Sequence, residues 1–457
     1  MATITEPTVE DIRSRSEDLG VEFYFAQFVD MYGRPSAKLV PAEYLDDLVS
    51  DGAGFAGFAA GEIGQLPSDP DIAAIPDLNS FTPVPWEPSL ARFACNVTVD
   101  GEEWPYDPRT ILRRQLEKAR TKGYEFMMGL ELEYFLLKSD GNGGVQIADA
   151  LDDLEKPCYD LRGLTRNYEF LRKVSNYVNG MGWGNYANDH EDANGQFEQN
   201  FTYSDALTSC DRAIFFRYMV HAMAQAEGML ATFMPKPFGH LTGNGGHFHM
   251  SLWDESGERD LFADDGDANG LGLSQLAYQF TAGLKKHAKA YIAVTAPTVN
   301  SYKRLTTTAG TPTSGATWSP IFITHGANNR TQMLRLPGGH VEDRTVDGSC
   351  NPYLAAAVIL AAGLDGIEHG LDPGKHNDEN LYTLSTEELA KRGIELLPAN
   401  LLDATRHLAD DTVLRDALGN TGSEDYIDYF VKTKQSEWAA YHEQVTPWEV
   451  KNYLTLF

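Results

Sequence analysis

Cysteine is scarce in this chain of 457 residues: there are four, Cys95, Cys158, Cys210 and Cys350, far apart and without a C-x-x-C pair. That spacing speaks against a disulfide scaffold or a thiolate zinc site and fits a reducing compartment. Positive charge is also in short supply. Lys and Arg number 37 against 66 Asp and Glu, a formal net charge of −29. So acidic a surface repels phosphate backbones and anionic lipid, so neither nucleic acid nor a membrane is an expected partner. No run of about 18 apolar residues occurs, which gives no reason to expect a transmembrane helix. The first residues, MATITEPTVEDIRSRSEDLG, are charged from the start and lack the apolar stretch of a secretory signal. A cytoplasmic location is the expectation. There is no G-x-x-x-x-G-K-[ST] loop and no kinase signature, which disfavours a P-loop enzyme. No internal repeat is visible.

What is present is enough for a core. Apolar residues make up 42%, and this length suits two domains better than one. Prolines cluster over residues 62–108, which reads as an irregular connection. The boundary is placed at its end, giving units 1–106 and 107–457. Asp107-Pro108 then reads as N-cap and first residue of a helix closed by Gly123. Upstream, VEFYFAQFVDMYGRPSAKLVP reads as two strands joined at Tyr32-Gly33-Arg34. Downstream, strands are expected at 125–137, 195–201, 246–252, 331–336 and 341–345. Helices are expected at 110–121, 165–180, 205–227, 272–289 and 353–369. Without strict β-α alternation, the class is α+β with a mostly antiparallel sheet.

Side chains alternate faces along a strand. In EFMMGLELEYFLL this puts Glu131 and Glu133 on one face, about 7 Å apart, over an apolar back formed by Leu130, Leu132 and Tyr134. Paired carboxylates repel unless a cation or proton lies between them; the alternative is a solvated acidic edge. In NGGHFHMSLW, His247, His249 and Ser251 share a face, and Gly243, Gly245 and Gly246 permit close approach of backbone to a ligand. A purely structural histidine pair is the other reading. NDHEDANGQFEQNF carries Glu191 and Glu198 across an Asn194-Gly195 turn, with Phe197 and Phe201 suggesting one buried face. Farther on come Arg304, Arg330, Arg335, Glu342 and Arg344, where simple salt bridges compete with anion binding. Taken together, oxygen ligands with imidazole suit Mg²⁺ or Mn²⁺, and arginines suit polyphosphate and carboxylate. Spacing alone leads to metal-dependent phosphoryl chemistry.

GLELEYF, HEDANGQFEQNF, GNGGHFHMSLW, NSYKRL, NNRTQMLRLP and VEDRTVDGSCNPYL, in this order, resemble the glutamine synthetase family, type I-like, over nearly the whole chain. Within it, DGAGFAGFA, EKPCYD and ATFMPKPF look most like the branch containing glutamate–methylamine ligases. The resemblance implies a small β-grasp-like N-terminal domain and a larger catalytic domain with a curved antiparallel sheet. It implies ATP as co-substrate and two divalent cations, Mg²⁺ or Mn²⁺. Glu133, Glu191 and Glu198 would hold one cation, and Glu131, His247 and Glu342 the other. Arg304, Arg344 and Gly243 would bind glutamate; His249, Ser251, Arg330 and Arg335 would bind ATP or its phosphates. Asp30 would handle the incoming amine from a neighbouring subunit, within a dodecamer of two hexameric rings. The implied reaction joins an amine to the γ-carboxylate of glutamate through γ-glutamyl phosphate.

Three departures stand out. A flap glutamate expected six residues after Arg304 is Gly310, and no Asp or Glu lies between Arg304 and Glu342, which favours methylamine over ammonia. Thr242 replaces an expected asparagine, and Pro337 an expected lysine. Tyr382 falls where some type I enzymes are adenylylated, though the following residues differ. An ordinary glutamine synthetase, a ligase for bulkier amines and a silent structural relative are the competing readings.

Overall fold

The computed structural model describes residues 6–306 and 317–457. The N-terminal part is built on a seven-stranded sheet. Its two leading strands, Phe23–Val29 and Pro35–Pro41, pair antiparallel from Phe23 opposite Pro41 to Val29 opposite Pro35, across the turn read from the sequence. The residues after them hold a surprise. The proline-rich stretch is not merely a connection, because it contains Ile72–Pro76 and the ten-residue strand Leu90–Val99, which lies in the middle of the sheet. Pro76 and Pro83 end their strands, and the following Leu90–Val99 carries no proline. Proline therefore punctuates this region rather than disordering it. Leu90–Val99 runs parallel to Phe23–Val29, so this sheet is mixed.

The larger sheet has ten strands. Its main path runs Asn185–His190, Gln196–Phe201, Tyr124–Ser139, Gly246–Asp254, Val341–Asp343, Gln332–Arg335, Phe322–Gly326. Every pairing in it is antiparallel except the last. The α+β class and the mostly antiparallel sheet are thus as expected. Tyr124–Ser139 is its backbone, with Phe126, Met128, Leu130 and Leu132 buried on one face as alternation requires.

Helices cover that face. Pro108–Thr121 starts where expected, its Asp107 cap accepting from Arg109 N and Thr110 N, a cap typically worth about 1 kcal/mol. Asn351 caps Pro352–Glu368 in the same way. This second helix is almost entirely buried and packs along Gln275–Thr295. A side chain at Gly283 would meet the Ala362 carbonyl at 2.0 Å, so the two backbones approach as only glycine allows. The helix expected over 165–180 is split into Leu161–Arg166 and Tyr168–Gly180. Val9–Leu19, Leu401–Asp410 and Tyr426–His442 are helices not anticipated from the sequence. One apolar cluster is continuous beneath both sheets. No described helix is long and apolar enough to cross a membrane.

Candidate active site

The face of the large sheet opposite the helices carries charge, and strand register sets it out in rows. Asp189 lies opposite Glu198, and Glu198 opposite Glu133. Glu131 lies opposite His247. His249 lies opposite Glu342, and Glu342 opposite Arg335. Opposed residues on antiparallel strands share a face. All of these residues except His249 therefore meet in one concave surface, a cavity of about 530 Å³. Glu131, Glu133, Glu191, Glu198, His247 and Glu342 all line it. Arg304, Arg330, Arg335, Arg344 and Gly243 line it as well.

The carboxylates are held, not solvated. Glu133 accepts from Gly245 N at 2.6 Å and from Gln196 Nε2 at 3.1 Å. Asn200 Nδ2 donates to Glu198 at 3.0 Å and Glu131 at 3.3 Å. His247 Nδ1 stands 3.4 Å from Glu131 and 3.7 Å from Glu342. His249 Nε2 stands 3.1 Å from Glu131. Three groups bring ligand atoms within 4.8 Å of one another: Glu131–His249–Glu342, Glu131–Glu198–His247 and Asp189–Glu191–Glu198.

The electrostatics divide this wall in two. Burial would raise the Glu131 carboxyl, but hydrogen bonds from His247 and His249 outweigh it and keep it ionised. Burial likewise opposes Glu342, yet Arg344 and its neighbours hold it at about 2. The Arg344 Nη1 to Glu342 contact is 2.7 Å, and Arg335 pairs with the same carboxylate. Glu191 and Glu198 lack such help. Burial, then Glu133 and Asp189, pushes Glu191 up to about 8. Burial, then Glu131, Glu191 and Glu133, drives Glu198 well above the ordinary carboxylate range. Adjacent buried carboxylates of this kind take up either a proton or a cation. An all-oxygen set with an imidazole nearby fits a hard divalent ion.

Opposite stand the arginines. Arg304 is buried, with Nη1 on the Thr345 carbonyl at 3.0 Å and Nη2 on the Arg344 carbonyl at 2.8 Å. No carboxylate partner neutralises it among the described residues. The glycines before His247 act differently from the expectation. A side chain at Gly243 would meet the Pro235 carbonyl at 2.3 Å, and one at Gly245 would meet His247 Nε2 at 2.5 Å. Their close approach is to the protein itself, seating Arg304 and His247.

A second cavity of about 550 Å³ adjoins the first and shares Glu131 and Arg335 with it. His249 and Ser251 line it, with the aromatic rings of Tyr186, Tyr203 and Trp253. Asp30 lies in neither cavity of the single chain. It is buried in the N-terminal sheet, accepting from Tyr32 N and Arg34 N. Gly310 lies outside the described residues. Tyr382 donates its hydroxyl to the Ser319 carbonyl at 3.0 Å, and burial pushes its phenol up to about 12.

Sequence reasoning missed Asp189, Gln196, Asn200, Tyr159 and Trp318 among the lining residues. Alternation along 185–190 fixes the face of Asp189, but only the strand register sets it opposite Glu198. Both faces of Gln196–Phe201 are buried, not one, because the polar face packs into the site. Tyr159 and Trp318 have left-handed backbones, φ 62° and 51°, a strain common at functional sites and invisible in sequence. Cys158 lines the cavity too, and burial and nearby carboxylates push its thiol up to about 12, which disfavours the thiolate.

Fold and site define a class: an antiparallel-sheet enzyme whose carboxylate wall and facing arginines suit divalent cations and a polyphosphate. Residues 105–453 match the glutamine synthetase catalytic domain. The chain is 46% identical to a glutamate–methylamine ligase of Methyloversatilis universalis over 438 residues, 96% of this chain and 97% of that one. It is 43% identical to a glutamine synthetase of Rhizobium meliloti over 96% of this chain and 98% of the other. A solved GmaS/ADP complex superposes with a TM-score of 0.90 at 47% identity, covering 97% of this chain and 99% of that one. The chain belongs to the glutamine synthetase family. Members of this family use ATP and divalent metal ions.

Proposed function

We propose that this protein joins an amine, methylamine first, to the γ-carboxylate of L-glutamate, consuming ATP and releasing ADP and phosphate. The observation that carries the reading is the single cavity in which under-neutralised carboxylates face Arg304, Arg330, Arg335 and Arg344. The likeness to a glutamate–methylamine ligase supports the choice of amine.

Glu131, Glu133, Glu191, Glu198, His247 and Glu342 are the residues suited to hold two cations, Mg²⁺ or Mn²⁺. Bound there, the cations would neutralise the phosphates of ATP and the charge that develops during transfer. The chain's own groups position the rest. Arg304 and Arg344, with the backbone at Gly243, bind glutamate. Arg330 and Arg335 bind phosphate, and His249 and Ser251 belong to the nucleotide side. A γ-carboxylate oxygen attacks the γ-phosphorus and ADP leaves. The neutral amine nitrogen then attacks the acyl carbon, the C–O bond to phosphate breaks, and the departing phosphate takes up the nitrogen-bound proton. Catalysis here is chiefly positioning and charge stabilisation.

Asp30 acts on the amine of a neighbouring copy, in a dodecamer of two hexameric rings. The unit 1–106 supplies that contact and 107–457 carries the chemistry. The net charge of −29 supports an enzyme without nucleic-acid or membrane partners, and the four scattered cysteines support a cytoplasmic one.

The second reading is a glutamine synthetase using ammonia, favoured by relatives such as that of Rhizobium meliloti. Against it stands Gly310, with no acid from Arg304 to Glu342 to handle an ammonium proton. Phosphate release with glutamate and ATP, against ammonia, methylamine, ethylamine, isopropylamine, aniline and putrescine, separates the two. Methylamine is expected to give the highest kcat/KM. Phosphate released equally without any amine would sink both readings.

A further inference from the structure

A further cavity, of about 790 Å³, lies apart from the active site. It lies between the N-terminal sheet and the start of the helix Ala206–Ala226, and it shares no lining residue with the two cavities above. Its wall is basic although the chain is strongly acidic. Arg15, Arg92, Arg109, Arg113, Arg120 and Arg212 line it, against Asp77, Asp205, Asp211 and Glu6.

Half of those arginines are already committed. Arg109 pairs with Asp211 at 3.0 Å and Asp77 at 2.8 Å. Arg113 pairs with Glu103 and Arg120 with Glu125. The other three have no carboxylate partner among the described residues. Arg15 lies over the Phe81 ring at 4.8 Å, and Arg212 over Trp183 at 5.8 Å. Arg212 otherwise reaches only the Thr202 carbonyl, at 3.3 Å. Arg92 is 1% exposed and stacks on Phe215. Its Nη2 donates to the Asp211 carbonyl, while Nε and Nη1 have no hydrogen-bond partner. Asp211 supports its charge but is already paired with Arg109, and a buried guanidinium short of counter-charge is costly. Of the two remaining acids, Glu6 is exposed and Asp205 is spent in part on capping Thr208 N.

We propose that this cleft is a binding site for a small anion bearing carboxylate or phosphate groups. The guanidinium fork matches both. Because the walls come from the N-terminal sheet and from a helix packed on Tyr124–Ser139, an anion seated there bridges the two parts of the chain. It is an effector position, distinct from the positions for glutamate and ATP.

The test is calorimetric titration of the purified full-length protein with inorganic phosphate and, separately, succinate, at constant ionic strength. The comparison is with Arg15→Ala/Arg212→Ala. Arg92 is left intact because its loss from the core threatens folding, whereas Arg15 is exposed and Arg212 only partly buried. Saturable binding of either probe that weakens at least tenfold in the double variant, with Mg-ATP binding unchanged, is the expected result. Whichever probe binds more tightly identifies the group recognised. Binding equal in wild type and variant would mean the probe sits only in the active site, and would overturn the proposal. So would binding no tighter than that of sodium chloride.

Discussion

Two clusters of buried charge in this protein look alike in sequence and differ in balance. Around Arg109 the guanidinium is enclosed by Asp211, Asp77 and Asn96, with contacts of 2.6 to 3.0 Å. Burial opposes its charge, but the aspartates outweigh burial and hold its proton more firmly than usual. Around Glu198 the reverse holds, since its neighbours are carboxylates and burial adds to their repulsion. One cluster is complete within the chain and fastens the N-terminal part to the helix Ala206–Ala226. The other has only carboxylates for charged neighbours and is the cluster proposed above to take up cations. Buried charge by itself does not mark a site; buried charge left uncompensated does.

The largest expected effect tests the open cluster. Glu198→Ala should cut amine-dependent phosphate release by at least about a thousandfold, as several kcal/mol of charge stabilisation are lost. The metal-free melting temperature should not fall, because a repulsive carboxylate is gone. Near-normal turnover would refute its role. Removing divalent ions by chelation should abolish activity likewise, and adding Mg²⁺ or Mn²⁺ back should restore it.

The closed cluster should respond in the opposite sense. Arg109→Ala strands Asp211 and Asp77 and should cost about 3–5 kcal/mol of stability. Denaturant unfolding would read this, and a variant as stable as wild type would show the cluster to be dispensable. Asp30→Ala should be milder. Its amine-dependent turnover should fall more than single-turnover ADP formation from glutamate and ATP. Equal loss in both steps would count against its role towards the amine.

The smallest effect concerns a third cluster, closed like the first but titratable. His287 bridges Asp411 at 2.6 Å and Asp365 at 3.0 Å. Burial lowers its proton affinity, but the two carboxylates outweigh burial and raise it. A raised folded value means the stabilisation is full below the unfolded histidine value, about 6.5, and fades as pH climbs through the folded value. The melting temperature should therefore decline gently above neutral pH, and His287→Gln should flatten that decline. An unchanged pH profile would show that the pair contributes nothing.

Much of the site was legible because strand alternation is local. Glu131 and Glu133 against Leu130 and Leu132, or His247 and His249 against Phe248 and Met250, announce which face is wet and which is packed. Helix starts at Asp107-Pro108 and Asn351-Pro352 were legible for the same reason, since caps act over three residues. Leu90–Val99 was obscured by the prolines flanking it. Tyr159 and Trp318 were missed because their unusual backbones are imposed by surroundings distant in sequence.

The amino-acid sequence by itself determined the chemistry in stock: carboxylates, imidazoles and arginines on the correct faces of their strands, and the family to which they belong. Only the tertiary structure decided who meets whom. Register across strands set Asp189, Glu198 and Glu133 in one row and left them without a counter-charge. Packing between elements left Arg92 beside a cleft with two of its three nitrogens unpaired. Alternation is fixed by the geometry of each residue, but the sum of charges at a point depends on segments more than a hundred residues apart being folded together.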